Sequence, residues 1–322
     1  MNYVSNGWSF KKILDRVDVN EKNIHGDTAL LMTAFTGKAN LLDYFLARED
    51  LDINQATNNG TTALMMATGK GHINVVDKLL THRSLNINQI NKNGFTALMI
   101  AIQKKHQAIV SKMLENDRLN INIQSSKGLN ALMLAIIQKD HDTAKMILKN
   151  QHLLPNQQDH NGNTALIFAI CTQDHEVINK LLEHEQLDIN LQNNQGETAL
   201  MMAIRVQDAD TVNLLLAHGA DASKKDRNLD TALTIAQKCK NPNMLKLVLD
   251  HANNQANSKN MLTQSRTVLH SEYSSNVGLE SKKPTNQSEK NSQAKHSRTI
   301  NSLPDDSNDV DTTEHPNKKA KH

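Results

Sequence analysis

The chain has 322 residues, only 3% of them aromatic, with Lys+Arg 36 against Asp+Glu 34 and a formal net charge of +2. Leu, Ile, Ala and Met carry the apolar mass, which suits closely packed helices better than sheets, since sheets favour β-branched and aromatic residues. From His251 onward ten Lys/Arg face eight Asp/Glu, which leaves 26 of each sign elsewhere, so the basic excess of a nucleic-acid or anionic-lipid binder is missing.

The opening "MNYVSNGWSFKKILDRVDVN" (1–20) lacks the apolar run of a secretory signal. Its Ile13-Leu14 and Val19-Asn20 stand in the phase of a second helix and exit loop, so 1–20 reads as a capping half-unit closed by the sole tryptophan, Trp8. From residue 21 the chain is periodic. A Gly-x-Thr-Ala-Leu string sets the phase at 26–30, 60–64, 94–98, 162–166 and 196–200, with GLNAL at 128–132 and LDTAL at 229–233. Thr28, Thr62, Thr96, Asn130, Thr164 and Thr198 are therefore 34 residues apart, and Thr231 follows after 33. Two further markers keep step: an apolar pair 17 and 18 residues after each of these positions, such as Leu79-Leu80, and an Asn eight residues before it (Asn20, Asn54, Asn88, Asn122, Asn156, Asn190).

Each unit has a physical reading. The Gly fits a turn that needs positive φ. The Thr two residues later is a helix N-cap, and Asn130, its one substitute, is an equally strong cap. A short first helix such as "ALMIAI" follows, then a polar turn ("QKKH", 103–106), then a second helix with apolar residues at helical spacing (Ile109, Val110, Met113, Leu114). An extended "LNINIQSSKG" leads to the next unit. Isolated helices this short are marginal in water, so the units are expected to stack into a solenoid and not a globule. In the last unit Leu229 replaces the marker glycine, and Asn241-Pro242 should open the second helix.

This pattern resembles the ankyrin repeat, with Thr-Ala-Leu-Met in place of the familiar Thr-Pro-Leu-His. The resemblance implies an all-α repeat solenoid of β-hairpin turns and helix-turn-helix pairs, with about seven units over 21–251 behind the half-unit cap. Met65, Met99, Met133 and Met201 replace the motif histidine with adaptable packing, and somewhat looser hairpins are expected. The resemblance also implies a non-enzymatic protein–protein interaction scaffold, monomeric, that holds another protein in a concave groove.

The groove positions follow from the phase. They lie just before the cap and seven and eight residues after it, and they differ between units while core positions stay nearly fixed. The candidate partner-binding residues are Phe35, Thr36, Lys70, Phe95, Gln103, Lys104, Leu129, Ile137, Gln138, Asn163, Cys171, Thr172 and Arg205. Phe95, Leu129 and Ile137 suggest an apolar hot spot flanked by Gln103, Lys104 and Gln138.

No enzyme signature competes with this reading. Phosphate-cradling Gly-rich loops, a nucleophile elbow and the His-Glu-x-x-His pair are all missing. His72, His106, His141 and His175 recur in the inter-helix turn, as structural residues would, and no cofactor or metal is expected. Cys171 and Cys239, the only cysteines, form no disulfide framework and fit an intracellular, reducing setting. No stretch reaches the ~18 apolar residues of a membrane span.

From 252 to 322 the markers stop, and the polar composition predicts disorder. "MLTQSRTVLHSEY" (261–273) is its one apolar island. Asp305, Asp306, Asp309, Asp311 and Glu314 make the C-terminus acid-rich, which, with the Asn/Gln/Lys-heavy units, is similar in style to secreted effectors of intracellular bacteria acting in a host cytoplasm. "KKAK" (318–321) resembles a minimal nuclear-import motif and raises an alternative, a nuclear regulator that binds transcription or chromatin factors.

Overall fold

Seven times, a Thr or Asn side chain accepts the N–H three residues ahead and starts a helix. Thr62 Oγ1, for example, accepts from Met65 N at 3.2 Å, and Asn130 Oδ1 accepts from Met133 N at 2.9 Å. A computed structural model of the chain describes residues 18–254. The expected cap residues Trp8, Ile13 and Leu14, the apolar island 261–273, the acidic cluster and "KKAK" lie outside the described residues. The first helices of the units are α1 (Ala29–Thr36), α3 (Ala63–Lys70), α5 (Ala97–Gln103), α7 (Ala131–Ile137), α9 (Ala165–Thr172), α11 (Ala199–Arg205) and α13 (Ala232–Lys238). Their partners are α2 (Ala39–Leu46), α4 (Ile73–Thr81), α6 (Gln107–Leu114), α8 (His141–Leu148), α10 (His175–Leu182), α12 (Ala209–Ala217) and α14 (242–254), which begins at Pro242 with Asn241 accepting from Met244 N.

The helices pack within a unit (α3 on α4) and between adjacent units (α3 on α5, α4 on α6). The fold of the described residues is thus an all-helical solenoid in which each unit buries its faces against its neighbours. First helices bury nearly every residue of their first turn and a half, as with Ala97, Leu98, Met99, Ala101 and Ile102. Met65, Met99, Met133 and Met201 are all buried and fill the space behind the hairpins. The fixed apolar pairs of the second helices, Leu79-Leu80 among them, close the other side of the same continuous core.

The hairpin turns of the described residues carry no regular strands. Among the described residues only isolated bridges occur, Ala56–Thr62 and Gln158–Thr164. A side-chain acceptor does the work of a ladder: Asn91 Oδ1 takes the N–H of Asn93 (2.9 Å) and of Phe95 (3.0 Å), and Asp159 and Asp226 do the same in their own units. The hairpins are then strung together by backbone bonds such as Lys92 N to Asn59 O and Ser126 N to Asn93 O, both 3.0 Å.

The marker glycines answer to this stringing as well as to their turn. Gly94 has φ 72°, and a Cβ there would lie 2.5 Å from Ser126 N of the next hairpin. Leu229 holds the same left-handed conformation at φ 63°. It is 73% exposed, and among the described residues no further hairpin packs against it. The substitution is thus confined to the unit where its only cost is backbone strain.

The periodic Asn residues form a second ladder. Asn88 Nδ2 donates to Arg118 O and Asn88 Oδ1 accepts from Asn120 N, both at 2.7 Å, and Asn54, Asn122 and Asn156 repeat the arrangement. Arg118 adds a staple of its own, its guanidinium donating to the carbonyls of Leu80, His82, Arg83 and Leu85 at the end of α4.

The turn between helices is left-handed in every unit, and its sequence depends on the unit after it. Gly37 and Gly71 stand where the next unit offers a histidine, and a Cβ on either would press on the ring of His72 or His106. Lys105, Lys139 and Gln173 take the same conformation where the next unit offers Asp140, Asp174 or Asp208. The smaller carboxylates leave room for a Cβ, and they also cap α8, α10 and α12.

Three substitutions test this construction in urea unfolding of the full chain. Gly94→Ala is expected to lose more than ~2 kcal/mol, since it combines a disfavoured φ with a backbone collision, whereas Leu229→Gly gains up to ~1 kcal/mol by relieving strain. Asn88→Ala removes both of its bonds between units and should cost roughly 1–3 kcal/mol.

Candidate functional site

The hairpins and the ends of the first helices present one residue before each cap and two residues seven and eight positions after it. Phe35, Thr36, Lys70, Gln103, Lys104, Ile137, Cys171 and Arg205 are exposed, while Phe95, Leu129, Gln138, Asn163 and Thr172 are half-buried. Several of these side chains are already engaged. The Thr36 hydroxyl donates to Met32 O, and that of Thr172 donates to Phe168 O, so both turn back on their own helices. Asn163 Oδ1 accepts from Asn193 Nδ2 at 3.1 Å. Phe35 lies under Lys70, whose Nζ is 4.2 Å from the ring centroid, a cation–π contact that links the first two units.

Arg205 is the most committed of the set. Its Nε meets Glu197 at 2.9 Å and its Nη2 meets the buried Asp226 of the following unit at 3.2 Å. Lys238 pairs with Asp230 in the same relation, a base seven residues after the cap and an acid just before it. The Lys238 bond holds the Asp230 carboxyl below the usual carboxylate range.

In the third and fourth units the residue before the cap is apolar, so nothing there pairs with a base. Phe95 and Leu129 are half-buried and pack on the core. Ile137 stays 42% exposed at the end of α7. Leu129 and Ile137 come together with Phe168 around an open cleft of about 370 Å³, which Ser126, Lys127, Asp159, His160 and Asn161 complete. Gln103, Lys104 and Gln138 beside it make no side-chain hydrogen bond to the other described residues.

Phe168 and His160 were missed by the sequence reading. Phe168 sits four residues after its cap, a position treated as core. In that column (Met32, Met66, Ile100, Leu134, Phe168, Met202, Ile235) it is the one aromatic, and that contrast was available in the sequence.

The turn histidines bridge units. His72 Nε2 lies 3.1 Å from Phe35 O, and His141 Nδ1 lies 2.5 Å from Asp174 Oδ2. Among the described residues no group of three or more His, Cys, Asp or Glu is placed to hold a metal ion. Nor, among them, is any helix long and apolar enough to cross a membrane.

Comparison with known proteins matches this architecture. The family model of ankyrin repeats, in three copies, matches residues 1–91, 78–154 and 151–226, and the chain belongs to that family. Ankyrin repeats generally serve as protein–protein interaction modules, and the fold is typically a non-enzymatic binding scaffold. Among solved structures the chain is similar in fold to the ankyrin repeat domain of Bcl-3, a member of the IkappaB protein family. The two share 22% identity at a TM-score of 0.61, over 71% of this chain and 99% of that one. It is similar also to EF0377, an ankyrin repeat protein, with 26% identity and a TM-score of 0.54, over 60% of this chain and 98% of that one. No curated protein matches the chain at a significant level.

Cys171 supplies a pH test of the groove wall. Desolvation, and secondarily the Glu197 charge, raise its thiol above the ordinary value, so less thiolate is present at pH 8. In a Cys239→Ser background, iodoacetamide is expected to react more slowly with Cys171 than with a cysteine peptide. Glu197→Gln should quicken the reaction, and equal rates in all three would contradict this electrostatic picture.

Proposed function

We propose that the chain is a monomeric, non-enzymatic docking scaffold whose groove holds a partner protein, with its grip centred on the third to fifth units. The observation that carries this reading is the cleft of Leu129, Ile137 and Phe168, where Ile137 stands open to solvent between two half-buried apolar side chains and the other described residues leave it uncovered. Arg205 is tied up in internal ion pairs, whereas Gln103, Lys104 and Gln138 make no side-chain hydrogen bond among the described residues and keep that capacity for something else. An exposed isoleucine beside an aromatic wall, rimmed by polar groups, is the arrangement of a binding hot spot.

The setting we favour is that of a bacterial effector acting inside a host cell. Its support is the acid-rich C-terminal sequence and the Asn/Gln/Lys-heavy composition of the units. The nuclear alternative rests on "KKAK" (318–321), and the likeness to Bcl-3, one of fold at 22% identity, adds nothing to it.

A photo-crosslinking amino acid at Gln138 is expected to capture a host protein that the same group at Asn179, exposed on α10, does not. Ile137→Asp abolishes the capture and moves the thermal midpoint by no more than ~2 °C, because exposed substitutions stay within about 0.5 kcal/mol. Equal capture at both positions, untouched by Ile137→Asp, would contradict docking in the groove. Removal of 315–322 leaves cellular distribution unchanged on the effector reading, and loss of nuclear accumulation would favour the alternative.

A further inference from the structure

We infer that the groove selects an acidic partner segment carrying at least one bulky apolar side chain, whose carboxylates meet a lysine rim while the apolar group enters the Leu129/Ile137/Phe168 cleft. This inference rests on the docking reading above and adds the chemistry of the partner.

Its basis is a local excess of lysine over two adjacent units. Residues 91–106 and 125–140, which build the hairpins, first helices and turns of the third and fourth units, hold five lysines and a single acid, Asp140. Lys92, Lys104, Lys105, Lys127 and Lys139 are all exposed, and none forms an ion pair among the described residues. Asp140 is occupied as the N-cap of α8, accepting from Thr143 N and from Gln107 Nε2, both at 3.2 Å. Asp159, which lines the cleft, is buried and accepts from Asn161 N and Asn163 N.

The sixth and seventh units show how this chain neutralises such positions when nothing is to bind. There the acid before the cap, Glu197 or Asp230, takes the base seven residues after it. In the third and fourth units Phe95 and Leu129 occupy the acid's place and Gln103 and Ile137 the base's, so no such pair forms there, and the five lysines around these positions have no acid partner among the described residues. Adjacent units are about 10 Å apart, close to one Debye length at physiological salt, so this repulsion is only partly screened. An anionic segment laid along the groove removes it and is steered in by the same field. A nucleic-acid strand is a poorer fit: the cleft floor is largely aliphatic, and strands are gripped by repeated aromatic stacking along a basic track.

The test is selection of a random phage-displayed peptide library on the full chain, followed by titration of the synthesised consensus peptide. The expected peptides are net negative with a Leu, Ile or aromatic residue. Their affinity falls at least ~tenfold on Ile137→Asp and again on Lys104→Glu combined with Lys127→Glu, and it weakens as salt rises. Neutral or basic peptides that still lose binding on Ile137→Asp would overturn the acidic-partner inference and leave groove docking standing. Peptides indifferent to Ile137→Asp, or no selected peptides at all, would remove the docking reading too. Displacement by an equimolar single-stranded oligonucleotide would overturn the inference in favour of nucleic acid.

Discussion

Everything in this fold depends on how closely one hairpin approaches the next. The backbone of one turn reaches over the marker glycine of its neighbour, as Ser126 N does to Asn93 O beside Gly94, and the two bond where a side chain would keep them apart. That contact sets the spacing at which α3 meets α5 and α4 meets α6, and hence the spacing at which Met65, Met99 and the apolar pairs interlock. A helix of seven or eight residues gains little alone, so the free energy of folding lives at the interfaces between units.

Because the interfaces are periodic, the groove is free to vary without penalty to them. The residues before the caps and at the ends of the first helices lie at the margin of the shared core, exposed or half-buried. The chain uses that freedom in two ways. Where it places Glu197 with Arg205, or Asp230 with Lys238, the groove is electrically closed. Where it places Phe95 and Leu129 instead, lysines and an isoleucine remain available. Specificity in such a scaffold comes as much from positions that are shut as from those left open.

The period, the caps and the turn glycines were legible because each is a local requirement: Thr28 and its counterparts cap the helix they begin, and Gly94 must take φ 72° within its own turn. Features that depend on the next unit were harder to read. The marker Asn88 stood out by its repetition, but its partners at Arg118 and Asn120 belong to the following loop, so its role emerged only from packing. Arg205 reads as a groove residue by phase, yet Asp226, 21 positions away, holds it in place. Phe168 was hidden by a column that is core in Leu134 and Ile235, exposed in Met32 and half-open in the rest. In the hairpin turns, Asn91-type side-chain acceptors satisfy the amides without a ladder, a role that the spacing alone did not display.

The most direct measurement of nearest-neighbour stability is urea unfolding after removal of one whole unit, residues 95–128, which leaves the phase intact. If each unit leans only on its neighbours, the shortened chain folds and the dependence of its unfolding free energy on urea falls by about a seventh. A shortened chain that cannot fold, or one that unfolds with an unchanged urea dependence, would mean that stability resides in some contact other than the stacking of adjacent units.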